Sequence, residues 1–427
     1  MSSNIEGVEV KKIRVCVIGA GAAGLCAVRH LSNDKQTFEP AVFEQTEVVG
    51  GTWVYVDKTQ IDYGHPIHSS MYKNLRTNFP LQLMNFPDFS QMNQTQPSCG
   101  THEQVLKYLQ DYAHHFNLYQ YIQFSTKVIS VEPIINDGNW RETIWKIKIQ
   151  NLKTDLVEEK TFDAVLVCNG HYSEPKIPLI PGIETFSGDV MHSHDYRNPE
   201  KYYGKTVIIL GAGPSGIDIG IEITGHAAHV YLSHSGPRLS GSLPENMTQT
   251  VRVEFIRGNE FHLTDGTIII ANALLYCTGY KLSFPFLDEA CQIKVNNDHV
   301  EALFKHLINV KHPKMAIVGI PFRIIPFPLF HIQIQYFLRL LKGQVTLPPM
   351  EIMMEDSKPK TNKHFHALGD LQWEYNDYLA NAAGIDKLPA FYKNGYREWT
   401  VKRTENLLKY KDSRIEIVNN EKVNIFI

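Results

Sequence analysis

The chain has 427 residues, 43% hydrophobic and 20% charged, with a formal net charge of −3. That is an ordinary globular balance, with material for two or three domains of about 150 residues each. It offers no basic excess for nucleic acid and no Lys/Arg block for an anionic membrane surface.

The six cysteines, Cys16, Cys26, Cys99, Cys168, Cys277 and Cys291, form no CxxC or CxxxxC pair and lack zinc-like spacing. Several lie in apolar runs (VCVIG, VLVCNG, LLYCTG), which reads as buried free thiols in a reducing compartment. The N-terminus, MSSNIEGVEVKKIRVCVIGAG, has no apolar signal core ahead of its first strand. A cytoplasmic location is expected, unless a signal was removed before this numbering begins. The most apolar long run, 315–341, is interrupted by Pro321, Arg323, Pro326 and Pro328, and is too broken to span a bilayer.

In chain order, a strand KIRVCVIG (12–19) meets the turn GAGAAG, a helix AAGLCAVRHLS and a strand PAVFEQ (40–45). Residues 57–100 are turn-rich and aromatic. HEQVLKYLQDYAHHF (102–116) reads as a helix with Thr101 as N-cap. Strands are expected near 121–132 and 143–150, then DAVLVCNG (163–170). The proline-rich HYSEPKIPLIPGIETF (171–186) reads as a crossing linker. A second strand, turn and helix follow in KTVIILGAGPSGIDIGIEI (205–223), then strands HVYLSHS (229–235) and TIIIANALLYCTGY (267–280). From about residue 312 come a strand MAIVGI, a proline-rich turn and an amphipathic helix; the C-terminal ~80 residues read as irregular helices with no assigned role.

The pattern predicts an α/β fold with two Rossmann-like dinucleotide-binding domains, one inserted in the other. The outer domain comprises residues 1–175 and 310–427, and the inner one 176–309.

Each turn carries chemistry. Gly19-Ala20-Gly21-Ala22-Ala23-Gly24 lies between strand and helix, where glycines permit a tight turn and a close approach of pyrophosphate to a helix N-terminus. Glu44, twenty residues beyond Gly24 at the next strand's tip, is placed to accept hydrogen bonds from a ribose diol. Gly51, Thr52 and Trp53 continue the chain alongside the rest of a large cofactor, or form a structural turn with a packed Trp. The second turn is Gly211-Ala212-Gly213-Pro214-Ser215-Gly216. Its following strand ends in Ser233-His234, with Arg238 nearby and no acid between Glu222 and Glu245. Hydroxyl, imidazole and guanidinium groups suit a 2′-phosphate, so this site favours NADPH over NADH; the alternative is ordinary strand-end residues. Two different nucleotide sites point to FAD reduced by NADPH, with the cofactor carrying the redox chemistry.

Between the turns lies FSGDVMHSHDY (186–196). It fits Phe-x-Gly-x₃-His-x₃-Tyr through Phe186, Gly188, His192 and Tyr196, and it resembles the identifying segment of the flavin-containing monooxygenase family. GAGAAG, FEQTEVVGGTW, SMYKNLRTNFP, GAGPSG, YCTGY and the proline-rich turn before HIQIQYFLRLLKG follow that family's order over nearly the whole chain. Within the family the chain most resembles the insect branch that N-oxygenates pyrrolizidine alkaloids of the senecionine type. It departs from vertebrate members in its ending, EKVNIFI, which has no long hydrophobic tail, so no membrane anchor is expected.

The resemblance implies an NADPH- and FAD-dependent monooxygenase that N-oxygenates tertiary amines with O2 through a flavin C4a-hydroperoxide. It implies Asn78 of LRTNFP as the active-site residue, Tyr72 and Leu75 on the NADP side, Gln333 near the flavin ring, and Val128 offering backbone groups to the FAD adenine. From the residues alone, Asn78 reads equally as a loop Asn capping a turn before Pro80. His192 is assigned a structural role rather than chemistry, and Gly188 a tight turn. Tyr196, where Baeyer–Villiger relatives carry Trp, favours heteroatom oxygenation over ester formation. The absence of paired redox cysteines disfavours disulfide reductases. An S-oxygenase, an NADPH oxidase and a non-catalytic FAD/NADP sensor remain alternatives, and self-association is left open. Nineteen histidines invite a metal site, yet His114-His115, His192-x-His194 and His364-x-His366 lack HExxH and an acidic cluster, so no metal is expected.

Overall fold

The structure, a computed structural model, describes residues 11–57, 68–92, 97–135, 139, 142–296, 298–359 and 364–426. The N-terminal ten residues, on which part of the signal reading falls, lie outside the described residues. The chain forms two compact units, each assembled from three separated segments: 1–50, 109–170 and 284–388, and 51–108, 171–283 and 389–427.

The first unit is built on β1 (Ile13–Ile18), α1 (Ala22–Asn33), β2 (Phe38–Phe43) and β3 (Ala164–Val167). β1 pairs in parallel with both β2 and β3, and β3 pairs in parallel with the strand Met315–Ile317. The seven-stranded sheet is completed by Ile122–Gln123 beside β2 and by Ile308–Asn309 and Leu303–Phe304 at the far edge. β1 and β3 run as near-continuous Val/Ile/Leu/Cys stretches because a parallel strand is covered on both faces. An antiparallel sheet of Thr126–Ile134, Ile144–Asn151 and Val157–Phe162 flanks it in sequence.

The second unit repeats the theme with β4 (Thr206–Leu210), α2 (Pro214–Thr224) and β5 (His229–Ser233). Its sheet is parallel throughout, in the order Met247–Thr250, β5, β4, Ala273–Tyr276, Asp189–His192. The expected single strand 267–280 is two: Ile268–Ile270 belongs to a separate antiparallel sheet, and the chain turns at Asn272 before Ala273–Tyr276. Asn272 holds that corner, its Oδ1 accepting from Thr206 N and its backbone O from Asp189 N, both at 3.0 Å.

Segments 51–108 and 389–427 pack within this unit, which cuts the chain differently from the reading 1–175, 176–309 and 310–427. Tyr72, Trp399, Leu407 and Tyr410 are buried in one apolar core with Val207, Ile209 and Ile217. Nor is the C-terminal region irregular. It holds helices Gln372–Ala383 and Ala390–Glu405 and a hairpin, Arg414–Ile417 with Val423–Phe426. Among the described residues no helix is long and apolar enough to cross a membrane. All six cysteines are buried and outside any disulfide.

Candidate functional site

In the first unit Gly19 has φ +100°, and a Cβ there would lie 2.7 Å from the Cys168 carbonyl oxygen. At Gly24 a Cβ would fall 1.9 Å from the Gly19 oxygen, so only glycine lets α1 start this close to β1. Gly21 is the N-cap and has no capping side chain; the first turn of α1, with Ala22 and Ala23, carries no acid. These first amides face no competing anion, which suits a pyrophosphate. Glu44 is 95% buried. Its Oε2 accepts the Ala20 N–H at 2.7 Å, and its Oε1 accepts from Thr46 N and Thr46 Oγ1, both at 2.8 Å. A carboxylate has about four lone-pair sites, so three bonds leave capacity for a ribose hydroxyl. The strand bearing Val128 starts here, since Thr126 N donates to Glu44 O at 2.8 Å. Val128 itself borders a bulge in its ladder with Ile149.

Gln333 is fully buried in the helix Pro326–Leu341. Its Oε1 accepts from Gly319 N at 3.0 Å, and its Nε2 donates to Tyr375 Oη at 2.7 Å. Tyr375 in turn donates to Lys305 O at 2.8 Å. This chain of bonds ties the helix to Gly319, just past the C-terminal end of Met315–Ile317, on the sheet edge where α/β folds bind ligands. Sequence reading missed Tyr375.

One trio in this unit, Cys26, His30 and His331, places three potential metal donors within 4.8 Å of one another. The two imidazoles already share a hydrogen bond of 3.1 Å; burial first, and then the charge of Arg29, lower the pKa of both. A cation beside a satisfied imidazole pair is poor company for a dication.

The second unit reproduces the cradle. Gly211 has φ +104°, and its Cβ would lie 2.5 Å from the Cys277 oxygen; that of Gly216 would lie 1.8 Å from the Gly211 oxygen. Pro214 occupies the first turn of α2, followed by Ser215, and the N-cap Gly213 again has no side-chain cap. A Cβ on Gly213 would meet nothing within 4 Å, so the turn faces open space. Ser233 is buried; its hydroxyl donates to Val251 O at 2.9 Å and accepts from Val253 N at 3.1 Å. That proton is therefore committed to the strand end. His234 Nε2 lies 3.3 Å from Gln249 Oε1, and as a carbonyl oxygen can only accept, Nδ1 is the nitrogen left over. Arg238 is exposed.

Gly51–Trp53 forms a 3-10 turn with Gly51 at φ +57°, and Ser69 Oγ donates to Thr52 O at 2.9 Å. Further on, the loop with Tyr72, Leu75 and Asn78 lies against α2. Tyr72 meets Tyr196 edge-on at 5.4 Å. Glu222 of α2 accepts from Tyr196 Oη at 2.8 Å and from Asn74 Nδ2 at 2.6 Å. Asn78 is half-buried; its Oδ1 accepts from Tyr410 Oη at 3.3 Å and its backbone O from Trp399 Nε1 at 3.0 Å. Its Nδ2 has no hydrogen-bond partner among the described residues.

The identifying segment is partly a strand. Asp189–His192 pairs in parallel with Ala273–Tyr276 at the sheet's edge. Gly188 is needed for closeness rather than for a turn: a Cβ would lie 2.3 Å from Asn272 O and 2.4 Å from the Phe186 ring. His192 is structural. Its Nδ1 accepts from His194 N at 3.0 Å, its Nε2 donates to Gly279 O at 3.1 Å, and burial lowers its pKa to about 4.

A model of the flavin-binding monooxygenase-like family matches residues 11–241 and 246–391. The flavin-containing monooxygenase FMO GS-OX-like 2 of Arabidopsis thaliana is 35% identical, over 86% of this chain and 84% of the relative. Among solved structures, the S-allyl-L-cysteine S-oxygenase of Allium sativum superposes with a TM-score of 0.86 at 31% identity, covering 95% of this chain and 96% of that one. Tmm from Pelagibacter sp. gives 0.85 at 27% identity, covering 96% and 95%. The chain belongs to the flavin-binding monooxygenase-like family. It is a flavin-dependent monooxygenase with FAD and NADPH as cofactors, acting on a small molecule with O2.

Proposed function

We propose that the chain oxygenates a soft heteroatom: the nitrogen of a tertiary amine, in the narrow form a pyrrolizidine alkaloid, or, as a second reading, the sulfur of a sulfide. The second reading draws on the S-oxygenase among its structural relatives. Bound FAD, reduced by NADPH, supplies the electrons and the activation of oxygen.

The chain's own residues bind and orient. Residues 1–175 and 310–427 are proposed to form the FAD-binding part and 176–309 the NADP-binding part. Gly19, Gly21, Ala22, Ala23 and Gly24 cradle the FAD pyrophosphate at the α1 N-terminus. Glu44 accepts from its ribose. Gly51, Thr52, Trp53, Val128 and Gln333 attend the rest of the cofactor. Gly211, Gly213, Pro214, Ser215 and Gly216 do the same for NADPH, with His234 and Arg238 supplying donors to the 2′-phosphate beside Ser233. Tyr72 and Leu75 line the NADP side.

Asn78 carries the reading. Among the described residues its two carboxamide N–H donors are uncommitted while its oxygen is held, and an amide donates without changing protonation state. Such a donor, aimed at developing negative charge on oxygen, favours transfer to substrate over release as peroxide.

The test supplies NADPH, isotopically labelled O2 and either senecionine or S-allyl-cysteine, and weighs the products. A labelled N-oxide formed in step with NADPH supports the first reading, and a labelled sulfoxide alone the second. NADPH consumed with peroxide as sole product sinks both. Asn78→Ala is expected to lower product per NADPH by about tenfold or more.

A further inference from the structure

We propose that Tyr410 is a positioning residue that sets which end of the Asn78 carboxamide faces the reaction; this rests on the proposed role of Asn78. The two ends of a carboxamide are nearly the same size, so half a turn about its last torsion exchanges donor for acceptor. Something must hold one orientation. Tyr410 is 3% exposed, at the start of the 3-10 turn Tyr410–Asp412, and its hydroxyl donates to Asn78 Oδ1 at 3.3 Å. With the oxygen engaged, both Nδ2 hydrogens point elsewhere.

The phenol keeps its proton, and among the described residues Asn78 Oδ1 is its one acceptor, so a turned amide would leave a buried O–H unpaired. Burial, and then the charge of Asp218, push its pKa well above the ordinary value, so it stays protonated. Its turn is also tied to the Asn78 loop. Lys411 Nζ donates to Arg76 O at 3.0 Å and pairs with Asp218, while Arg76 pairs with Asp412 at 2.6 Å. Trp399, fully buried, holds the Asn78 main chain through Nε1, and its ring meets that of Tyr410 at 6.0 Å. The loop and the C-terminal turn are therefore tied together at several points, and among the described residues the Tyr410 hydroxyl is the one group hydrogen-bonded to the Asn78 carboxamide.

Y410F removes that hydroxyl and keeps the ring. Loss of one neutral hydrogen bond is expected to raise peroxide released per NADPH about fivefold. Flavin reduction by NADPH without oxygen, and the KM for NADPH, should stay within about twofold, because a turned amide costs orientation, not cofactor binding. A neutron structure of cofactor-free Y410F, in which amide nitrogen and oxygen are distinct, should show the Asn78 amide turned or split between two orientations. Y410F combined with Asn78→Ala should uncouple no more than Asn78→Ala alone. Y410H, which returns an N–H donor, should recover part of the coupling, and it serves if Y410F folds poorly.

The failures separate. If Asn78→Ala leaves coupling intact, the Asn78 reading falls and this inference with it. If Asn78→Ala uncouples while Y410F keeps wild-type coupling and a single amide orientation, the Tyr410 inference alone is overturned. Additive losses in the double variant, or Y410H no better coupled than Y410F, overturn it too.

Discussion

The two glycine-rich turns align residue by residue, with Ala22-Ala23 of the first against Pro214-Ser215 of the second, and their difference in charge falls past the strand that follows. Gly19 and Gly211 each accept a left-handed φ against a cysteine carbonyl, and Gly24 and Gly216 each lie where a Cβ would enter the turn's own oxygen. Gly19 N donates to Phe43 O and Gly211 N to Ser233 O, both at 2.9 Å. Those bonds align the strand ends, so the next residues correspond: Glu44 in the first unit, His234 in the second. Shape is thus common to both cradles, and the difference in charge is concentrated in a carboxylate exchanged for an imidazole. A carboxylate there can only accept hydrogen bonds; an imidazole can donate, and attracts a phosphate once protonated. The packing of a turn is generic to dinucleotides, whereas under the proposed assignment the residue past the second strand distinguishes them.

The strongest way to break this parallel is to fill each turn. Gly24→Ala and Gly216→Ala each force a Cβ against backbone, at a cost of about 3 kcal/mol or more. Gly24→Ala should yield colourless protein without flavin. Gly216→Ala should yield yellow protein that NADPH no longer reduces. Loss of flavin from both, read from visible absorbance, would show that the cradles are not assigned as proposed. Exchange of the divergent position comes next. His234→Glu should shift the ratio of kcat/KM for NADPH over NADH toward NADH by about 100-fold, the scale of one or two charged hydrogen bonds. An unchanged ratio would remove His234 from recognition.

A pH series compares the units as whole folds. His306 in the first and His192 in the second are held neutral by burial, with pKa lowered from 6.5 to about 4. The unfolded chain takes up protons at about 6.5 and the folded chain only near 4. Stability is therefore full above the upper value and lost as pH falls through this window. The melting temperature should drop by about 5 °C or more between pH 7 and 4.5; a flat profile would contradict buried neutral imidazoles. The smallest effect is expected from Gly213→Ala. Its Cβ enters open space, so folding should be untouched and the KM for NADPH should rise about threefold, a modest crowding of the approach to the helix end.

Both cradles were legible in the sequence because strand, turn, helix and tip residue are local signals whose spacing the backbone dictates. The strand Asp189–His192 was not. It is four residues long, two of them exposed, and its one partner strand begins 84 residues beyond its start, so no local period marks it. The break at Asn272 was hidden in an apolar run, since either half of 267–280 suits a strand and only the corner's hydrogen bonds divide them. Trp399 and Tyr410 were invisible as partners of Asn78 for the same reason: more than 300 residues lie between them. At Ser233 the sequence left out the local bonding. Its side chain suited a phosphate by type, but its hydroxyl closes the chain at Val251 and Val253.

The interleaving of segments governs how this molecule can come into being on the ribosome. The central sheet of the first unit needs Met315–Ile317 beside β3, and the second unit draws on 389–427, which is made after residues 284–388 of the first. Neither half can be finished by vectorial synthesis in the order of its residues, and no single cut releases a self-sufficient piece. The nascent chain must keep apolar β1, β3 and β4 shielded until late partners arrive, the situation in which large α/β proteins lean on chaperones. Truncation from the C-terminal end therefore strips the second unit of Trp399 and Tyr410 before it touches the first.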